Sequence, residues 1–167
     1  YRRQRQMCIR DSTHSDLTIA LDGRALSSLA QGITTQVMGN CGVSAAPTRD
    51  FAPYHGPLDP AMTRSLTCDW EHFGEYFQRL EAQGLGTNTA TLVGHGNIRV
   101  AAMGYDDRPP IPAEMERMKE LTARAMEDGA LGLSSGRAYA PGPYAALDEL
   151  VELGKVIGEY NGIYTSP

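Results

Sequence analysis

Three short stretches carry side chains able to bind a metal or activate a nucleophile, each set among glycines: Asn40-Cys41-Gly42, Gly94-His95-Gly96 and Ser134-Ser135-Gly136. A cysteine thiolate and a neutral imidazole are donors that zinc favours, while hydroxyls and an imidazole can orient a substrate or pass a proton. There is no Cys-x-x-Cys pair, so any metal must draw its ligands from residues far apart in the chain. Each stretch also has a plain structural use. A free cysteine is commonly a small buried apolar group, and paired serines commonly cap a helix or brace a loop. His95, between two glycines, has no evident packing use. His14 in Thr13-His14-Ser15-Asp16 carries no meaning by itself, and His55 and His72 read as loop and helix-surface residues.

The elements that must position these groups are legible from hydrophobic period. A β-branched strand runs from Ile33 to Gly39, and a loop too long for a simple connector follows from Asn40 to about Leu66. Trp70, Phe73, Phe77 and Leu80 recur at helical spacing and predict a helix from Asp69 to Gln83, stopped by Gly84. Thr89–Val93 reads as a second strand. A helix opens near Pro112 and ends at Gly129, with Met115, Met118, Leu121 and Ala125 inward. Its methionines are read as core filling rather than as a cofactor stripe. A third strand is expected at Ala130–Leu133 and a helix at Ala145–Tyr160, with Leu147, Leu150, Val151 and Ile157 inward. A fourth strand is expected over Gly162–Ser166.

Strands alternating with helices of this length predict βαβ units and a parallel sheet, hence an α/β fold. A doubly wound dinucleotide fold needs Gly-x-Gly-x-x-Gly between a strand and a helix. Gly84-x-Gly86 precedes a strand instead, and Gly94-His95-Gly96 lacks the third glycine. About four βα units are half of an eight-stranded barrel, so the fold class expected is a partial (β/α)8 barrel with parallel strands. In such folds reactive groups collect beyond the carboxyl ends of the strands. Cys41, His95, Ser134 and Ser135 all fall there, and Tyr139 lies a few residues past the third strand.

Composition narrows the function classes. With 41% hydrophobic and 21% charged residues, the chain is of ordinary globular type. A net charge of −5 argues against a nucleic-acid partner, and no apolar run approaches the ~18 residues of a membrane span. Three sparse cysteines without a secretory segment point to a reducing compartment, and a cytoplasmic location is expected. Residues 1–12 are basic and lack period, and are read as an artefact or a disordered leader. Residues 13–167 are then expected to form one incomplete barrel domain.

Taken together, several segments resemble the N-acyl-D-amino-acid deacylases, or D-aminoacylases, of the amidohydrolase superfamily. These segments are His14-Ser-Asp-Leu-Thr18, Gln31-Gly-Ile-Thr-Thr-Gln-Val-Met-Gly-Asn-Cys-Gly-Val-Ser-Ala-Ala-Pro47, Leu92-Val-Gly-His-Gly-Asn-Ile-Arg99, Met103-Gly-Tyr-Asp-Asp-Arg108, and Gly129-Ala-Leu-Gly-Leu-Ser-Ser-Gly136 with Tyr139-Ala-Pro-Gly142. They keep the family's order from about Thr13 onward. The resemblance implies a (β/α)8 barrel with a small accessory β domain and a zinc site at its carboxyl face. It further implies hydrolysis of a small N-acyl-D-amino acid to a carboxylate and a free D-amino acid. On the same ground, Cys41 matches the thiolate zinc ligand and His14 the second histidine of a His-x-His pair. His95, Ser134, Ser135 and Tyr139 become candidates for lining the substrate site.

Three departures qualify the match. Ser12 stands where the first histidine of the pair is expected, and Pro167 where a further histidine ligand is expected. The family's remaining histidine ligand and its catalytic aspartate find no counterpart, so these residues alone are expected to be inactive. A related hydrolase of cyclic amides, dihydroorotase-like or hydantoinase-like, would present a carboxylated lysine where this chain presents Cys41, and no lysine lies near a strand end. A non-catalytic binding module on the same scaffold is the alternative from another class.

Overall fold

The computed structural model describes residues 8–10, 12–49 and 66–166. Residues 1–7 and 11 of the leader, the loop segment 50–65 with His55, and Pro167 lie outside the described residues. In chain order the elements are β1 (Cys8–Arg10), α1 (Asp16–Leu21), α2 (Leu26–Ala30), β2 (Ile33–Met38), α3 (Phe73–Gln83), β3 (Asn88–Thr91) and β4 (Val93–Gly94). There follow α4 (His95–Met103), α5 (Pro112–Glu127), β5 (Gly132–Ser134), a 3-10 turn (Gly142–Tyr144), α6 (Leu147–Glu159) and β6 (Ile163–Thr165).

All strand pairs are parallel, in two sheets of order β1-β2-β3 and β4-β5-β6. β1 therefore takes in residues of the basic leader. The second expected strand is divided at Leu92. Its first part pairs with β2, and the Leu92 N–H still donates to Met38 O at 3.0 Å. Its last part pairs with β5, while the Leu131 N–H donates to Thr91 O at 2.8 Å. Residues 88–94 thus face one sheet on one side and the other sheet on the other. Parallel pairing sends every carboxyl strand end the same way within each sheet.

Trp70, Phe73 and Leu80 of the expected stripe are buried, but Tyr76 takes the inward place given to Phe77, which is half-buried against the core. The helix is shorter than its period suggests. The Glu75 carboxylate accepts the backbone N–H groups of Glu71 (2.6 Å) and His72 (3.1 Å), which makes His72 the N-cap and starts α3 at Phe73. Trp70 lies before the helix, with its indole N–H donating to Ala45 O at 2.9 Å. Trp70, Phe73, Tyr76 and Leu80 are buried in the main core with Met38, Val93, Met118, Leu121, Leu133 and Ile157.

α5 buries Met118, Leu121 and Ala125 as its spacing predicts, with Met115 half-buried. α6 departs from expectation. Leu150, Leu153 and Ile157 point inward, but Leu147 is 69% and Val151 47% exposed. Glu149 takes part of the inward face, which turns Leu147 and Val151 more than a quarter-turn away from the core. α4 was not evident from periodicity, because its residues His95–Val100 are all buried and leave no amphipathic stripe. Among the described residues no helix is long and apolar enough to cross a membrane.

Candidate functional site

The strand ends build the site around a strained turn after β2. Gly39 (φ +76°), Cys41 (φ +56°) and Gly42 (φ +76°) are all left-handed. For a cysteine this backbone costs about 1–2 kcal/mol, so its surroundings must hold it. The Asp16 carboxylate, at the start of α1, accepts the Gly39 N–H at 2.7 Å. Ser134, the last residue of β5, accepts the Gly42 N–H at 3.0 Å through Oγ and donates its hydroxyl hydrogen to Gly39 O. Gly42 O accepts the Gly96 N–H at 2.9 Å, so α4 closes the turn from a third side. Gly136 is required here, since a Cβ on it would lie 2.0 Å from Cys41 O. The Cys41 side chain is half-buried.

The following loop is locked to α4. Asn97 accepts the Ser44 N–H (2.8 Å) and donates to Ser44 O (2.8 Å) and Pro47 O (3.2 Å), while Ser44 Oγ accepts the Gly94 N–H at 2.8 Å. This network makes the segment between Cys41 and Thr48 a buried wall.

His95 opens α4 directly beyond β4 but does not stand alone. Its Nε2 is 2.6 Å from Glu149 Oε1, and Arg99 Nη1 donates to Glu149 Oε2 at 2.5 Å. Arg99 Nη2 donates to Arg108 O (2.6 Å) and Asp106 O (3.1 Å). All three side chains are at most 1% exposed. Burial pushes the Glu149 carboxyl up, but the hydrogen bonds from His95 and Arg99 outweigh it and hold the group below its ordinary value.

Ser135 is buried and its hydroxyl lies 2.6 Å from that of Tyr164 on β6. Tyr139 is 45% exposed in the loop before the 3-10 turn. His14 is exposed between β1 and α1. Burial raises the Asp16 carboxyl to about 7, opposed by hydrogen bonds from its own and the Gly39 N–H groups. Among the described residues no three His, Cys, Asp or Glu side chains are close enough to hold a metal ion. Cys41 and His14 are donors of the zinc-preferring kind but fall short of the three that a catalytic zinc site takes from protein.

Four residues of this region escaped sequence reading: Asp16, Asn97, Arg99 and Glu149. Asp16 sat in view beside His14, and Asn97 and Arg99 followed His95. Nothing local marks Glu149, which meets His95 across 54 residues of chain.

No family model matches the chain. It is 39% identical over 156 residues to the N-acyl-D-glutamate deacylase of Alcaligenes xylosoxydans xylosoxydans, covering 92% of this chain and 31% of that protein. Among solved structures it is similar to the N-acyl-D-glutamate deacylase of Bordetella bronchiseptica, complexed with zinc and a phosphonate inhibitor that mimics the tetrahedral intermediate. The TM-score is 0.79 at 37% identity, over 96% of this chain and 33% of that one. A D-aminoacylase described as defining a novel subset of amidohydrolases superposes with a TM-score of 0.84 at 30% identity, over 95% and 33%. The chain therefore spans about a third of the length of the relatives it matches.

Proposed function

We propose that this chain, a homologue of the N-acyl-D-amino-acid deacylases over about a third of their length, supplies half of the (β/α)8 barrel of a zinc-dependent hydrolase that cleaves the amide bond of N-acyl-D-amino acids. The products are a carboxylate and a D-amino acid. The observation that carries this reading is the similarity to a deacylase solved with zinc, joined to a thiol held at the carboxyl end of β2. Residues 13–167 are assigned to the barrel, with β1 (Cys8–Arg10) paired onto the edge of their first sheet, the two sheets being successive arcs of its wall joined through residues 88–94. The cysteine usage supports a cytoplasmic enzyme.

Cys41 and His14 are the residues here that would hold zinc. When bound, zinc polarises a carbonyl and lowers the pKa of a water toward ~7. Ser12 and Pro167 occupy the positions expected for two further histidine ligands, and the remaining ligand and the carboxylate that moves the proton are assigned to parts of the relatives' length that this chain does not span. Two donors alone predict no activity for these residues by themselves. Tyr139, exposed beyond β5, is assigned to contact with substrate, and Ser135 to the wall beside it. His95 is assigned to shaping that wall through Glu149.

The test is to express the full open reading frame and measure zinc content together with hydrolysis of N-acetyl-D- and N-acetyl-L-amino acids. Bound zinc with release of the D-amino acid only is expected, and Cys41→Ala should abolish tight zinc binding. A metal-free protein, or unchanged zinc content and activity in the variant, overturns the reading.

A further inference from the structure

We propose that Ser134 and Asp16 are positioning residues that hold the Cys41 turn in the one backbone conformation from which its thiol can act as a metal ligand. This rests on the reading of Cys41 as that ligand. The two side chains bracket the turn from opposite elements, Asp16 from α1 and Ser134 from β5. Asp16 binds the N–H of Gly39 and Ser134 its carbonyl, while Ser134 also receives the N–H of Gly42. The polar backbone atoms on both sides of Cys41 are thereby anchored, and Cys41 between them is left-handed.

Burial and hydrogen count exclude the obvious rival, direct contact of Ser134 with substrate. Ser134 is 0% and Asp16 2% exposed. A serine hydroxyl has one hydrogen to give, and that of Ser134 is spent on Gly39 O. The sequence-based expectation of Ser134 as a substrate-binding group is thus replaced by a role exerted through Cys41. Close packing completes the clamp, since the backbone of Gly136 lies against Cys41 O with no room for a side chain. A left-handed cysteine without these anchors would relax to a right-handed or extended backbone and carry its thiol elsewhere.

The experiment uses the protein expressed from its full open reading frame and loaded with zinc or cobalt(II). Affinity is read by competition with a chromophoric chelator, and thiolate ligation by the sulfur-to-cobalt charge-transfer band. Ser134→Ala and Asp16→Ala should each weaken metal binding about 10- to 100-fold and shift or diminish the band. Asp16→Asn, which keeps an acceptor for the Gly39 N–H, should retain most of the affinity. Thr122→Ala, which removes another fully buried hydroxyl far along the chain, should lower thermal stability without moving the band. If Ser134→Ala fails to fold, the contrast between Asp16→Ala and Asp16→Asn decides. Wild-type affinity and an unshifted band in folded Ser134→Ala or Asp16→Ala overturn the proposal, provided Cys41→Ala loses both. A band that survives in Cys41→Ala overturns the ligand reading beneath it.

Discussion

Replacing Glu149 by Gln isolates the buried charge network behind β4. The carboxylate accepts Arg99 Nη1 at 2.5 Å and meets His95 Nε2 at 2.6 Å, with every partner at most 1% exposed. Charge-assisted hydrogen bonds contribute about 1.5–3 kcal/mol each, and stranding one member of a buried ion pair costs about 3–5 kcal/mol. Glutamine keeps the volume and one acceptor but turns an amide N–H toward the donors and leaves the guanidinium without its counter-charge. A loss of about 3 kcal/mol is expected. Chemical denaturation of the protein from its full reading frame measures it, alongside a fall in Tm. Arg99→Met in the same background closes a double-mutant cycle. The double variant should be less destabilised than the sum of the singles by about 2 kcal/mol, because no charge is then left unpaired. A cost for Glu149→Gln below about 1 kcal/mol, with no coupling to Arg99, would refute the reasoning.

Acid sensitivity follows from the same carboxylate. Its folded pKa is depressed, so the stability it contributes is complete above the unfolded value near 4.5 and is lost as pH falls through the folded value. The Tm difference between wild type and Glu149→Gln should therefore shrink below about pH 4.5, and a pH-independent difference would contradict the assignment. Two glycines make opposite predictions. Gly136→Ala would place Cβ 2.0 Å from Cys41 O and 2.6 Å from Cys41 C, backbone atoms that cannot swing aside, and should destabilise by about 1–3 kcal/mol. Gly154→Ala, in α6 with nothing within 4 Å, should stabilise by about 0.5–1 kcal/mol, both read by denaturant midpoint.

The sequence by itself determined most of the strands and helices and which polar side chains stand beyond strand ends. Alternation of strand and helix periods marked β2, β5, β6, α3, α5 and α6, and the rule that parallel strands present their carboxyl ends together singled out Cys41, His95 and Ser134. Periodicity reports only how a residue's own neighbours share a face. It therefore missed α4, buried on all sides, and placed Leu147 and Val151 inward where Glu149 instead faces the network. It likewise joined β3 and β4 into one strand, because only the partners β2 and β5 divide them.

What the side chains do was decided by tertiary structure alone. Ser134 reads as a free hydroxyl in sequence, and becomes a brace for Cys41 because Gly42 returns beside it across 92 residues. His95 reads as a solitary imidazole until α6 brings Glu149 within 2.6 Å. A residue's type sets the bonds it can make, which the chain states openly. Which bond is made depends on the atom that packing brings within reach, and that atom belongs to a distant part of the chain.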